Sequence, residues 1–138
     1  MDNPISKKEL LSMPNEDYMN PQQLQFFERI LLKMKTDILE GFEKIKSEIL
    51  PQESVSDIND IASNYELQQY EFKRADRERK LLKKINQSLS QIKSGNYGYC
   101  SETGEEIGLK RLIARPTATL CVSAKEKQEY KEKTIGIY

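Results

Sequence analysis

The chain has 138 residues, 37% hydrophobic and 32% charged, with a net charge of zero and no histidine. That is one or two small domains with a modest core and much surface per residue. Balanced charge excludes a global pull toward nucleic acid or an anionic membrane, and the missing imidazole narrows any metal or catalytic set.

Residues 1–20 form a charged leader punctuated by Pro4, Pro14 and Asn20, packed on a domain or loose. Asn20 then caps a helix whose first residue is Pro21. Leu24, Phe27, Leu31, Met34, Ile38, Phe42, Ile45 and Ile49 step by three and four, an apolar stripe with a coiled-coil period. Gly41 interrupts it at a cost of about 1 kcal/mol relative to alanine. Pro51 ends the helix, and Gln52 to Ser56 make the turn.

A second stripe runs through Ile58, Ile61, Tyr65, Phe72, Ala75, Leu82, Ile85, Leu89 and Ile92, with polar Gln68 and Arg79 in register. Gly95 stops this helix. At 1.5 Å per residue the two helices span about 45 and 55 Å. Matching stripes and a short linker predict an antiparallel hairpin. Its charge is uneven. Residues 37–66 hold eight acids against two lysines, and residues 73–93 eight bases against two acids.

Gly98, Gly104, Gly108 and Pro116 are spaced like the turns of a small ribbon. Thr117 to Val122 has β-type residues. Ser123 is placed to cap a last helix through Lys133, with Glu126 completing a capping box. The expected architecture is mainly α. It has a leader (1–20), a hairpin (21–95) with its tip near 51–60, and a ribbon-like domain with a C-terminal helix (96–138).

Inside that last part lies half of a zinc site. Cys100-Ser101-Glu102-Thr103 and Cys121-Val122-Ser123-Ala124 have the spacing of two ligand pairs, but a structural zinc asks for four thiolate or imidazole ligands. Thr103 and Ala124 stand at the second position of each pair. Three uses of the cysteines are open. They fill space as small buried hydrophobes, hold a weak metal with Glu102 or Glu105, or form a disulfide or redox sensor. Folding without zinc is the expectation. Two cysteines and no signal peptide predict a reducing cytoplasm. No segment is long and apolar enough for a membrane span. No nucleophile with a base and no phosphate-cradling glycine loop points to an enzyme.

Asp76-Arg77-Glu78-Arg79-Lys80, Tyr97-Gly98-Tyr99-Cys100, Gly104-Glu105-Glu106-Ile107-Gly108 and Arg111-Leu112-Ile113-Ala114-Arg115-Pro116-Thr117-Ala118-Thr119-Leu120-Cys121 resemble the DksA/TraR family of bacterial factors that bind RNA polymerase. The resemblance covers roughly Tyr18 to Lys133. The family's usual four cysteines fall on Cys100, Thr103, Cys121 and Ala124, which is similar to its cysteine-poor, zinc-independent branch.

The resemblance implies a cytoplasmic monomer. It inserts its hairpin into the secondary channel of RNA polymerase, contacts no DNA, destabilises open promoter complexes, and acts with guanosine tetraphosphate (ppGpp) in the stringent response. It implies tip residues Asp57, Asp60 and Ala62. It also implies a ppGpp site of Lys84, Arg115 and Lys125 with Arg77 and Leu81 nearby. The residues alone leave blander roles open: aspartates suit a helix N-terminus, and Arg77, Leu81 and Lys84 suit a solvated face. Other functions also remain open at this level: a transcript-cleavage factor, a coiled-coil adaptor or a thiol redox switch.

Overall fold

The computed structural model describes residues 4–49 and 58–135, with the side chains of 48, 49 and 58–60 left out. The predicted turn at Gln52–Ser56, with Pro51 and Asp57, lies outside the described residues. Five α-helices follow in chain order: α1 (Lys7–Ser12), α2 (Pro21–Ile49), α3 (Ile58–Ser94), α4 (Leu109–Ala114) and α5 (Val122–Ile135). Strand pairing among the described residues is one isolated antiparallel bridge, Tyr99 with Glu106.

The chain divides into two compact units. One comprises residues up to 31 and from 87 onward, and the other residues 32–86. The leader therefore belongs with the C-terminal part and the ends of α2 and α3. It is ordered by a cap and a buried leucine. Ser6 caps α1 by accepting the Glu9 N–H at 3.2 Å, and Leu10 on that helix is fully buried. Burying a leucine stabilises by roughly 1.5–3 kcal/mol, enough to hold a six-residue helix that would not stand alone.

Asn20 caps α2 as expected, accepting the Gln23 N–H at 2.8 Å. Gln23 answers through Oε1, which accepts the Met19 N–H at 2.8 Å. It is fully buried, with its amide nitrogen on Met13 Sδ at 3.4 Å. Phe27 and Leu31 on α2 and Ile85 on α3 are also fully buried. The α3 helix ends where Gly95 takes φ +83°, and the Asn96 N–H folds back to the Gln91 carbonyl at 2.9 Å.

The unit of residues 32–86 is a thin two-helix seam. On α2 its inward positions are Met34, Ile38, Gly41 and Ile45. On α3 they are Asn64, Gln68, Glu71, Ala75, Glu78, Leu82 and Ile85, stepping strictly by four and three. This corrects the second stripe. The apolar run Ile61, Tyr65, Phe72 and the run Leu82, Ile85, Leu89, Ile92 are out of phase. One helix face cannot satisfy both, and the more strongly buried basal run sets the phase. Tyr65 and Phe72 therefore lie beside the seam and face solvent. Gly41 leaves a notch of about 130 Å³ lined by Lys44, Ile45, Glu71, Arg74 and Glu78.

The C-terminal part also departs from expectation. Thr117–Val122 forms no strand, because its backbone is used singly: the Ser101 N–H donates to the Thr119 carbonyl at 2.8 Å. The last helix starts at Val122, so Ser123 lies inside it. Its hydroxyl sits 3.3 Å from Cys121 Sγ instead of capping. Arg115 is the C-cap of α4.

Candidate functional site

The two half-sites of the zinc frame meet through a hydroxyl. The Cys100–Gly104 turn closes with the Gly104 N–H on the Cys100 carbonyl at 2.9 Å and the Cys100 N–H on the Glu105 carbonyl at 2.7 Å. Thr103 Oγ1 accepts the Glu105 N–H at 3.2 Å and lies 3.8 Å from Cys121 Sγ. Both cysteines are free and buried, and Ala124 is 2% exposed.

Burial pushes the Cys100 thiol up, but hydrogen bonds outweigh it. The Thr103 hydroxyl and the N–H groups of Cys121, Thr103 and Glu102 hold it down at about 6. Such a ring of N–H donors is the half of a metal knuckle that the backbone supplies. The rest of the donor set does not fit a closed four-thiolate zinc site. Ala124 has no ligand atom, and the Thr103 oxygen is already occupied. Among the described residues no group of three or more cysteine or carboxylate side chains is placed to hold a metal.

Two tyrosine hydroxyls close the surrounding shell. Tyr18 donates to the Gly98 carbonyl at 2.6 Å and accepts the Gly108 N–H at 3.0 Å. Burial raises its pKa, opposed by the bond from Gly108. Gly98 sits at φ +91°, where an L side chain is strained, and a Cβ there would also crowd Met19 Cγ and Sδ at 2.9 Å. Tyr97 is buried and donates to the Pro116 carbonyl at 2.7 Å, with its ring centroid 5.5 Å from that of Phe27. Arg111 Nε donates to the Leu120 carbonyl at 2.9 Å, tying α4 to the Cys121 segment.

The residues assigned from the resemblance divide between the units. Arg77, Leu81 and Lys84 share one face of α3, with both cations exposed and Leu81 half-buried. Nearby, Asp76 pairs with Arg79 at 3.9 Å and Lys80 at 3.5 Å, and Arg74 pairs with Glu78 at 3.5 Å. Among the described residues Arg77 and Lys84 enter no such pair. In the other unit, Arg115 is exposed, and half-buried Lys125 donates to Gln128 Oε1 at 3.4 Å. Asp57 lies outside the described residues, Asp60 is in the first turn of α3, and exposed Ala62 follows it.

Two family descriptions match this chain. "DnaK suppressor protein DksA, N-terminal domain" covers residues 23–92. "Prokaryotic dksA/traR C4-type zinc finger" covers residues 95–130. The chain belongs to the DksA/TraR family.

Relatives named RNA polymerase-binding transcription factor DksA include one from Caulobacter vibrioides, 41% identical over 94% of this chain and 92% of its own length. Another, from Escherichia coli, is 38% identical over 89% of this chain and 82% of its own. The solved structure of transcription factor DksA2 from Pseudomonas aeruginosa is 40% identical. It aligns with a TM-score of 0.78 over 93% of this chain and 99% of that one. DksA relatives are transcription factors rather than enzymes. The C4-type match covers the segment that holds Cys100, Thr103, Cys121 and Ala124.

Removing the Tyr18 hydroxyl strands a carbonyl and an N–H at once. Tyr18→Phe is expected to cost about 1–3 kcal/mol, read as a lower urea midpoint at unchanged slope. An unchanged midpoint would remove the clamp from the account.

The Cys100 thiol yields a pH dependence of defined sign. Its folded value of about 6 lies below the ordinary 9.0. Between those values the unfolded chain binds the extra proton, so stability rises with pH across the window and the gain is lost as pH falls through 6. The thermal midpoint should climb from pH 6 to pH 9 in wild type and flatten in Cys100→Ser. Parallel curves would contradict the assignment.

Proposed function

We propose that this chain is a transcription regulator that binds RNA polymerase, enters its secondary channel with the hairpin, and destabilises open promoter complexes together with ppGpp. The observation that carries this is the near full-length similarity to factors named for polymerase binding. Asp57 and Asp60, with Ala62, act at the active centre, where a carboxylate adds negative charge. The factor touches no DNA, works as a cytoplasmic monomer, and catalyses nothing itself. No helix among the described residues is long and apolar enough to cross a membrane.

Lys84, Arg115 and Lys125, with Arg77 and Leu81 beside them, bind the nucleotide against the polymerase. Exposed cations are suited to phosphate oxygens through charge-assisted bonds. Each is worth roughly 1.5–3 kcal/mol, so losing one weakens the response about tenfold or more.

The decisive measurement is open-complex lifetime at a ribosomal promoter. The protein should shorten it, and ppGpp should shorten it further. Asp60→Asn should abolish the effect while polymerase binding persists. Lys84→Ala, Arg115→Ala and Lys125→Ala should keep the ppGpp-independent effect and lose the increment. Wild-type behaviour of Asp60→Asn would remove the tip role. An intact ppGpp response in all three cation variants would leave that face as solvated surface.

The same reading places the chain in the zinc-independent branch of its family. It is supported by the two-thiol donor set and by the hydrogen bonds occupying Thr103. Purified protein should carry well under one zinc per chain. Stoichiometric zinc would overturn this.

A further inference from the structure

The knuckle of Cys100 and Cys121 keeps two sulfurs in one small, hydrogen-bonded setting. The Cys100 sulfur accepts the N–H groups of Cys121, Thr103 and Glu102 and the Thr103 hydroxyl. It therefore lies against the residue that carries the second sulfur. The same Thr103 hydroxyl is 3.8 Å from Cys121 Sγ, and the Ser123 hydroxyl is 3.3 Å from it. Both thiols are free and buried.

A closed zinc site needs four ligands. Beyond the two sulfurs no third cysteine or carboxylate joins a metal-holding group among the described residues, and buried Ala124 offers no ligand atom. The coordination number on offer is two. Soft thiolates select Cu(I). A monovalent ion with a filled d shell makes no ligand-field demand for four donors, and a linear pair of thiolates satisfies it. Charge agrees. Two thiolates around Zn(II) leave it neutral and coordinatively open, whereas around Cu(I) they carry one net negative charge. The N–H donors at Cys100 are matched to that charge. The Ser101–Gly104 segment over which they are spread is exposed, which gives an ion a way in.

We propose that Cys100 and Cys121 form a two-thiolate site for a soft monovalent cation, Cu(I), with the Thr103 and Ser123 hydroxyls packed beside the sulfurs where a zinc site would have further ligands. Two Cu–S bonds form, each protonated thiol gives its proton to solvent, and the ion stays monovalent, so no oxidant or reductant enters. Folding does not require the ion, because hydroxyl and backbone bonds already close this part of the chain. The site needs only this chain and is independent of polymerase binding.

The test is anaerobic titration of the reduced full chain with Cu(I) in competition with bicinchoninate, followed by copper X-ray absorption. Wild type should take up one Cu(I) per chain as a monomer, with a first shell of two sulfurs and the edge feature of linear coordination. Cys100→Ser and Cys121→Ser should each weaken binding by more than about a hundredfold, the most that loss of an outer partner costs. Supplied with Zn(II) instead, the chain should retain well under one ion after gel filtration. Wild-type affinity in either serine variant overturns the inference, as does a first shell containing nitrogen or oxygen, or no uptake of Cu(I) by wild type. Half an ion per chain in a dimer would place the thiolates on two chains and also overturn it. Should a serine variant fail to fold, the first shell measured on wild type still decides.

Discussion

The Tyr18 hydroxyl is the joint on which the C-terminal part depends. It comes from the leader, just before the Asn20 cap of α2, and reaches Gly98 and Gly108 on either side of the Tyr99–Glu106 bridge. One phenol thus fixes the start of α2 against both ends of the turn that carries Cys100. Tyr97 repeats the device from inside, linking the core ring of Phe27 to the Pro116 carbonyl. A domain of this size has little apolar area with which to close itself. Buried, partnered hydroxyls add directional bonds that fix its geometry.

The cysteine pair fits that scheme. Cys100 keeps its ring of N–H donors, which together with the Thr103 hydroxyl hold its thiol down at about 6. Cys121 stands between the hydroxyls of Thr103 and Ser123. Ala124, buried at the fourth position, adds packing and no ligand. What remains is a knuckle whose polar demands are met by hydroxyls and backbone.

Legibility in the sequence followed the range of the interactions. The start of α2 was plain, because Asn20-Pro21 and a strict apolar step act within a few residues. The phase of α3 was not, because two apolar runs compete and only packing against α2 decides between them. Ser6 caps the leader helix through the Glu9 N–H, but with one buried leucine behind it that helix left almost no periodic signal. The short α4 helix read as turns, since Gly108 and Pro116 bracket it. Tyr18 was invisible as a clamp: its partners are 80 and 90 residues away, and a lone tyrosine carries no pattern. The spacing of Cys100 and Cys121 was legible, but the placement of the Thr103 hydroxyl beside Cys121 was not.

Arg115 and Lys125 belong to the hydroxyl-closed part, and Arg77 and Lys84 to the hairpin unit. Closure of the first without metal is the central claim, and native-state hydrogen exchange in excess chelator tests it most directly. The amides of Cys100, Ile107 and Gly108, bonded to the Glu105 carbonyl, the Gly98 carbonyl and the Tyr18 hydroxyl, should exchange at the same slow rate with and without chelator. Faster exchange at those three amides on adding chelator would contradict it.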